Sequence, residues 1–376
     1  MVEAARISKG LDDIVVGRSS IAWVGGETGD LVYRGFDVRD LVPGVPYESI
    51  VHLLVYGEPP SADPSREVGR ELAARRDPPA PIERIVDALP STLPPLEALR
   101  TILSALGDGS YGYPPTREQG FDLIARTPTL LARYVRRSRG APPIPPRADL
   151  GHAANFLWML YGEAPPPPKV RALEGYLDLL ADHGMNASTF ALRVAISTQS
   201  DLMSAATAAL ATLKGPVHGG APSRVSDMLD AIGSPDRAPA WIEERLARKE
   251  VLFGFGHRAY KTDDPRSTVL HRIAREVADP HRLALAESVE QTALAALRRA
   301  KPGARLFTNV EYYSAVVLEA VGLPRELFTP TFAVARTAGW TAHALEQAQD
   351  NRLIRPDVEY VGPPKGRVWP RPLPGR

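Results

Sequence analysis

The chain has no cysteine among its 376 residues. Disulfides, thiolate metal sites and cysteine nucleophiles are thereby ruled out together, and the composition suits a reducing cytoplasm. No apolar run approaches the roughly 18 residues that a membrane-spanning helix needs. The opening stretch MVEAARISKGLDD has no apolar core of signal-peptide length, so a cytoplasmic protein without membrane contact is expected. Charge of one sign is also lacking. Lys and Arg total 45 and Asp and Glu 44, a net of +1, which leaves no basic field to gather nucleic acid. No motif calls for a metal.

What is present is apolar bulk in a helical rhythm. Hydrophobic residues make up 44% of the chain, and the length exceeds that of one compact domain, so two lobes are expected. Ile21–Val24 and Leu31–Tyr33 read as short strands around the turn-like Gly25–Asp30. Apolar periodicity then predicts helices over Tyr47–Tyr56, Leu96–Leu106, Phe121–Arg137, Leu150–Tyr161, Val170–His183, Ala187–Thr198, Asp201–Leu213, Trp241–Lys249, Pro280–Arg299 and Phe328–Gln349. Pro128 is expected to break or kink the third of these. The 37 prolines otherwise punctuate the series, and no repeat of solenoid period appears. The Pro-rich tail from Val361 to Arg376 cannot be helical; with Trp369 to bury, it is expected to lie as an arm on a neighbouring subunit.

Three polar islands interrupt the Ala- and Leu-rich helices. In Lys214-Gly-Pro-Val-His-Gly-Gly-Ala-Pro222, His218 occupies a tight loop before a helix N-terminus, where the dipole disfavours an imidazolium. In Gly254-Phe-Gly-His-Arg-Ala-Tyr-Lys-Thr-Asp-Asp-Pro-Arg266, glycines expose backbone amides beside His257, and Lys261 and Arg266 add positive charge suited to carboxylates or phosphates. In Thr308-Asn-Val-Glu-Tyr-Tyr-Ser314, Glu311 falls in the first turn of a helix. His183, before Gly184, reads as closing a helix. Each feature alone is equally served by capping, packing or a solvated loop. Together, two loop histidines, a carboxylate and arginines are what acid–base carbon chemistry on an anionic substrate requires.

These motifs, in this order, resemble the citrate synthase family, in its bacterial-type, short-chain dimeric form. The resemblance runs from Gly10-Leu-Asp12 through His183-Gly-Met-Asn-Ala-Ser-Thr189, Gly215-Pro-Val-His-Gly-Gly220, Gly256-His-Arg-Ala-Tyr-Lys261, Asp264-Pro-Arg266 and Asn309-Val-Glu-Tyr-Tyr-Ser314 to Ala335-Arg-Thr-Ala-Gly-Trp340 and Asn351-Arg-Leu-Ile-Arg-Pro356. It implies an all-α homodimer with a large helical domain (residues 1–218 and 317–376) and a smaller inserted one (219–316) that closes over the site. It implies condensation of acetyl-CoA with oxaloacetate, with no cofactor beyond the substrates. His218 would stabilise the enol, His257 would polarise the oxaloacetate carbonyl and Glu311 would be the base. His183, Asn186, Arg266 and Arg336 would serve oxaloacetate, with Arg355 reaching in from the other subunit. Leu252, Phe253, Gly254, Phe255 and Gly256 would receive the CoA adenine, and Lys261 a CoA phosphate. Most members carry aspartate where Glu311 stands. Two other readings accompany this one: a 2-methylcitrate synthase using propionyl-CoA, and a non-catalytic member with an assembly role.

Overall fold

The expected hairpin forms where alternation and turn chemistry put it. β1 (Ala22–Gly25) pairs antiparallel with β2 (Asp30–Tyr33), with Trp23 opposite Val32 and Gly25 opposite Asp30. A further strand not read from the sequence, β3 (Phe36–Asp37), folds back on β2. The structure is a computed structural model and describes residues 7–12, 14–61 and 64–366. Trp369 and the end of the tail lie outside the described residues; the described stretch 351–366 forms neither helix nor strand.

Helices account for nearly everything else, as the all-α expectation requires. α1 (Val38–Leu41), α2 (Tyr47–Tyr56), α3 (Pro64–Ala74) and α4 (Ala80–Ala88) lead to α5 (Pro95–Leu106) and the long α6 (Arg117–Ser138). α7 (His152–Tyr161), α8 (Pro167–Leu180), α9 (Ala187–Ser197), α10 (Leu202–Leu213) and α11 (Ala221–Ile232) follow. α12 (Ala238–Ala247), α13 (Pro265–Val277), α14 (Pro280–Ala300), α15 (Val310–Val321) and α16 (Phe328–Gln349) complete the order. α2 and α16 begin and end where periodicity placed them. α2 stops because Gly57 takes a left-handed φ of 90° and its N–H closes on the Leu53 carbonyl at 2.9 Å. Among the described residues no helix is long and apolar enough to cross a membrane.

Two expectations need correction. Pro128 does not interrupt α6, which buries most residues from Gly120 to Val135. Its burial against neighbouring helices outweighs an interior proline's cost of about 3 kcal/mol, and the Thr127 hydroxyl donates to the Leu123 carbonyl at 2.6 Å just before it. The run read as Val170–His183 stops at Leu180. There the buried Tyr33 hydroxyl lies 3.1 Å from the carbonyls of Asp178 and Leu179 and 2.9 Å from that of Asp182. Its one hydroxyl proton is shared among these acceptors where helical bonding ends, and its oxygen accepts the Asp182 N–H at 3.2 Å. His183 therefore stands in a loop pinned by the hairpin, not in a last helical turn.

The core is organised around α16, buried from Phe328 to Ala344 and packed by α6, α8, α9, α10 and α2. Burial of Trp340 and its neighbours stabilises this centre, at roughly 25 cal/mol for each Å² of apolar surface removed from water. The α6–α16 contact depends on Gly120, where an added Cβ would stand 2.1 Å from the Thr341 Cγ2. Gly120→Ala should therefore cost about 1–3 kcal/mol of folding stability through overpacking. Urea unfolding monitored by circular dichroism would measure this; an unchanged midpoint would contradict the packing described.

Candidate active site

The polar islands, far apart in sequence, meet at one place. His183 comes from the loop after α8, His218 from the loop between α10 and α11, and His257 from the loop before α13. Arg266 and Glu311 sit in the first turns of α13 and α15, and Arg336 on the buried α16. The His183 and His257 rings meet edge-on with centroids 5.4 Å apart, and His183 Nε2 lies 3.2 Å from the Tyr260 hydroxyl. His183 feels the charges of Arg266, Arg336 and both other histidines, so all of them crowd one pocket.

Local structure holds each side chain. Asn186 caps α9: its Oδ1 accepts the Thr189 N–H at 3.2 Å and the Ser188 hydroxyl at 2.8 Å, and its Nδ2 donates to the Gly184 carbonyl and Thr189 hydroxyl. Ser188, so placed, donates its N–H to His218 Nε2 at 3.3 Å, with its hydroxyl 2.9 Å from the same nitrogen. The His218 ring stands edge-on to Phe332, and the Arg336 guanidinium lies 4.8 Å over that same phenyl. His257 Nδ1 accepts two backbone N–H groups, those of Ala259 and Tyr260, both at 3.0 Å.

Asp264 joins two helix starts. Its Oδ1 accepts the Arg266 N–H and Nε at 3.0 Å; its Oδ2 accepts Arg266 Nη2 at 2.8 Å and the Val310 N–H at 3.0 Å. Asp264 and Arg266 are 1% and 3% exposed, so this is a buried pair with its hydrogen bonds made. Arg336 is less well served. Its Nε donates to the Leu180 carbonyl at 2.7 Å, but its Nη1 is buried with no hydrogen-bond partner among the described residues.

Burial and crowded cations set the protonation states. Burial first, then Arg336, pushes His218 down to about 4. Burial and Arg266 bring His257 to about 4 as well, and burial with Arg266 holds His183 well below the ordinary range. Burial pushes the Glu311 carboxyl up to about 7 in spite of Arg266. Burial lowers Arg336 to about 10, whereas for Arg266 the adjoining Asp264 outweighs burial and holds it above the usual value. The pocket thus offers neutral imidazoles, a reluctant carboxylate and two fixed cations. Among the described residues no group of three or more His, Asp or Glu is arranged to hold a metal ion.

The 252–256 loop lies beside this pocket. Gly254 takes a φ of +85°, and a Cβ there would stand 2.6 Å from the Tyr312 ring. The carbonyls of Gly254 and Gly256 accept the Asn309 N–H and Nδ2, each at 2.9 Å, and so fix the start of α15. Leu252 is buried, Phe253 and Phe255 are half-buried, and Lys261 is exposed. Arg355 stands apart from the cluster of its own chain, 78% exposed at its side chain and 3.9 Å from Asp357. Asn186 spends its amide on the α9 cap. Sequence reasoning missed Ser188, Tyr260 and Asp264. The N-cap spacing Asn186-Ala-Ser-Thr189 and the Asp264-Pro265 start signal were there to find the first and last; nothing in the sequence marked Tyr260.

Comparison with known proteins identifies the family. A family model described as "Citrate synthase, C-terminal domain" matches residues 10–357. A citrate synthase of Mycolicibacterium smegmatis is 42% identical over 377 residues, covering 96% of this chain and 97% of its own. A Corynebacterium glutamicum protein named 2-methylcitrate synthase 2 is 37% identical, covering 97% of each. The crystal structure of Thermotoga maritima citrate synthase is similar at 39% identity and a TM-score of 0.88, covering 97% of this chain and 98% of that one. The Thermoplasma acidophilum citrate synthase, solved as a ternary complex with carboxymethyl coenzyme A and oxaloacetate, is similar at 29% identity and a TM-score of 0.90, covering 97% and 99%. A match spanning the helical body and all the converging loops makes this chain a member of the citrate synthase family and a transferase of that type.

Proposed function

We propose that this chain condenses acetyl-CoA with oxaloacetate and hydrolyses the product, citryl-CoA, to citrate and free CoA. The observation that carries this reading is that two histidines around one perturbed carboxylate turn opposite ring nitrogens to backbone N–H groups. His218 Nε2 accepts the Ser188 N–H, so its proton is on Nδ1. His257 Nδ1 accepts two N–H groups, so its proton is on Nε2. Each ring is left with one donor for a substrate oxygen.

Glu311 removes a methyl proton of the thioester, and His218 Nδ1–H stabilises the enolate oxygen as it forms. The enol carbon attacks the oxaloacetate ketone, whose oxygen gains a proton as His257 Nε2–H polarises it. Water then attacks the citryl thioester and CoA leaves as the thiol. Arg266, Arg336 and His183 hold oxaloacetate; the partnerless Arg336 Nη1 is suited to a carboxylate oxygen. Asn186 acts behind them, through Ser188. The 252–256 loop and Lys261 receive CoA, and no metal or further cofactor is needed. Residues 219–316 form the smaller domain, closing on the larger one (1–218 and 317–376) to exclude water from the enolate. The working unit is a cytoplasmic homodimer in which exposed Arg355 serves the partner's site. Acetyl-CoA is favoured over propionyl-CoA because the citrate synthase of M. smegmatis, at 42%, is more similar than the 2-methylcitrate synthase of C. glutamicum, at 37%.

Free CoA release, followed with a thiol reagent, tests this directly. Release should depend on oxaloacetate and be faster with acetyl-CoA; a propionyl-CoA preference would exchange the substrate, and no release from folded protein would defeat the proposal. Glu311→Gln should lower kcat by about 10²–10⁴, the usual worth of a positioned base. Because the carboxyl must be ionised and burial holds it near 7, kcat/KM should fall as pH drops through about 7. The histidines, held near 4, should stay neutral across that limb. Nitrogen NMR of labelled histidine should find His218 protonated at Nδ1 and His257 at Nε2; the reverse for either would break the assignment of roles.

A further inference from the structure

Behind His183 runs a buried polar chain that the reaction above does not use. His343 on α16 and Asp182 are fully buried, and Arg193 on α9 is 4% exposed. Arg193 Nη1 lies 3.1 Å from His343 Nδ1. A guanidinium only donates, so Nδ1 must accept, and the single ring proton stands on Nε2. That nitrogen faces Asp182 Oδ1 at 3.2 Å, at ion-contact distance though not in line for a good hydrogen bond. Arg193 is anchored in turn. Its Nη1 and Nη2 donate to Glu346 Oε2 at 2.9 and 2.8 Å, and its Nε to Gln347 Oε1 at 3.0 Å. The remaining Glu346 oxygen accepts the Ser20 N–H at 2.8 Å and lies 3.1 Å from its hydroxyl, next to the start of β1.

The inner end of the chain grips the substrate loop. Asp182 Oδ2 accepts the Gly184 N–H at 2.7 Å, which sets the turn on either side of His183. The Ala181 carbonyl accepts the Gly339 N–H at 3.0 Å, and Gly339 lets the loop lie against α16: a Cβ there would stand 2.4 Å from both the Ala181 oxygen and Asp182 Oδ1. The loop is neither helix nor strand, and its backbone is otherwise held by Tyr33 at Asp182 and by Asn186 at the Gly184 carbonyl. A buried carboxylate without a partner would be costly, so its position follows the groups that satisfy it.

We propose that His343 is a positioning residue for oxaloacetate. Packed between them, it passes the fixed position of the Arg193–Glu346 pair to Asp182, and through Asp182 and the Gly184 N–H it sets the His183 ring against Tyr260 and His257. This rests on the reading of His183 as an oxaloacetate ligand. His343 offers Arg193 an acceptor at Nδ1 and faces Asp182 with Nε2, and a glutamine amide supplies the same pair of groups.

The test compares His343→Gln, His343→Leu and Glu346→Gln with the unsubstituted protein, measuring KM for each substrate, kcat and the melting temperature. His343→Leu should raise the oxaloacetate KM about tenfold or more, since an ångström-scale misplacement is worth up to about a hundredfold. The acetyl-CoA KM should stay within about twofold, and His343→Gln should restore oxaloacetate KM to within about threefold of the unsubstituted value. Glu346→Gln, at the partly exposed far end, should move the same constant about threefold, and it carries the test if the leucine variant does not fold. A lower melting temperature with oxaloacetate KM unmoved, or a glutamine variant as impaired as the leucine one, would overturn the inference. No oxaloacetate-dependent CoA release from the unsubstituted protein would instead overturn the functional reading beneath it.

Discussion

One carboxylate ties the catalytic geometry together. Asp264 begins α13, accepts the first N–H of α15 from Val310, and neutralises Arg266, all while buried. Helix N-termini carry partial positive charge and unpaired N–H groups, so two of them and a guanidinium would repel one another without an anion between them. With Asp264 there, α13 and α15 can start side by side. That fixes the separation between Arg266 and Glu311: one leaves from each helix, each within two residues of an Asp264 contact. The glycine carbonyls at 254 and 256, bonded to Asn309, brace the same junction from the loop side.

Around that junction charge is crowded at the expense of stability. Arg266 and Arg336 stand buried near three histidines whose pKa values burial lowers, and burial resists ionisation of Glu311. A folded protein gains nothing from such crowding; it is tolerated because the remainder of the fold, built on the apolar α16, is secure. The same helix supplies Arg336 and Phe332 to the pocket and His343 to the polar chain behind it, so rigidity and chemistry share one scaffold.

How much of this the sequence disclosed depended on the kind of signal. Periodic apolar helices such as α2 and α16 were legible to the residue, because burial on one or all faces leaves a pattern. The start of α13 was hidden inside a stretch read as a loop, although Asp264 followed by a proline is a helix-start signal. α3 and α4 escaped because their apolar stripes are short and flanked by proline. His183 was set in a helix because local periodicity continues to it, whereas the stop comes from Tyr33, almost 150 residues earlier in the chain. The cluster His183, His218, His257, Arg266, Glu311 and Arg336 was legible as a set of chemical types and through a family resemblance; that the loops meet is a tertiary fact. Asn186 was legible through the resemblance alone, whereas its contacts with Ser188 and Thr189 at the start of α9 are a structural fact.

The bare donor on Arg336 has a meaning for selectivity. A buried N–H that no group among the described residues satisfies penalises any occupant that fails to supply an acceptor there, because the donor then stays unpaired. Sites of this kind reject a ligand lacking the matching polar group far more strongly than an apolar pocket rejects a missing methylene. On the proposed function, discrimination should therefore be lopsided: severe towards keto compounds without the second carboxylate, and mild towards one extra carbon on the acyl chain.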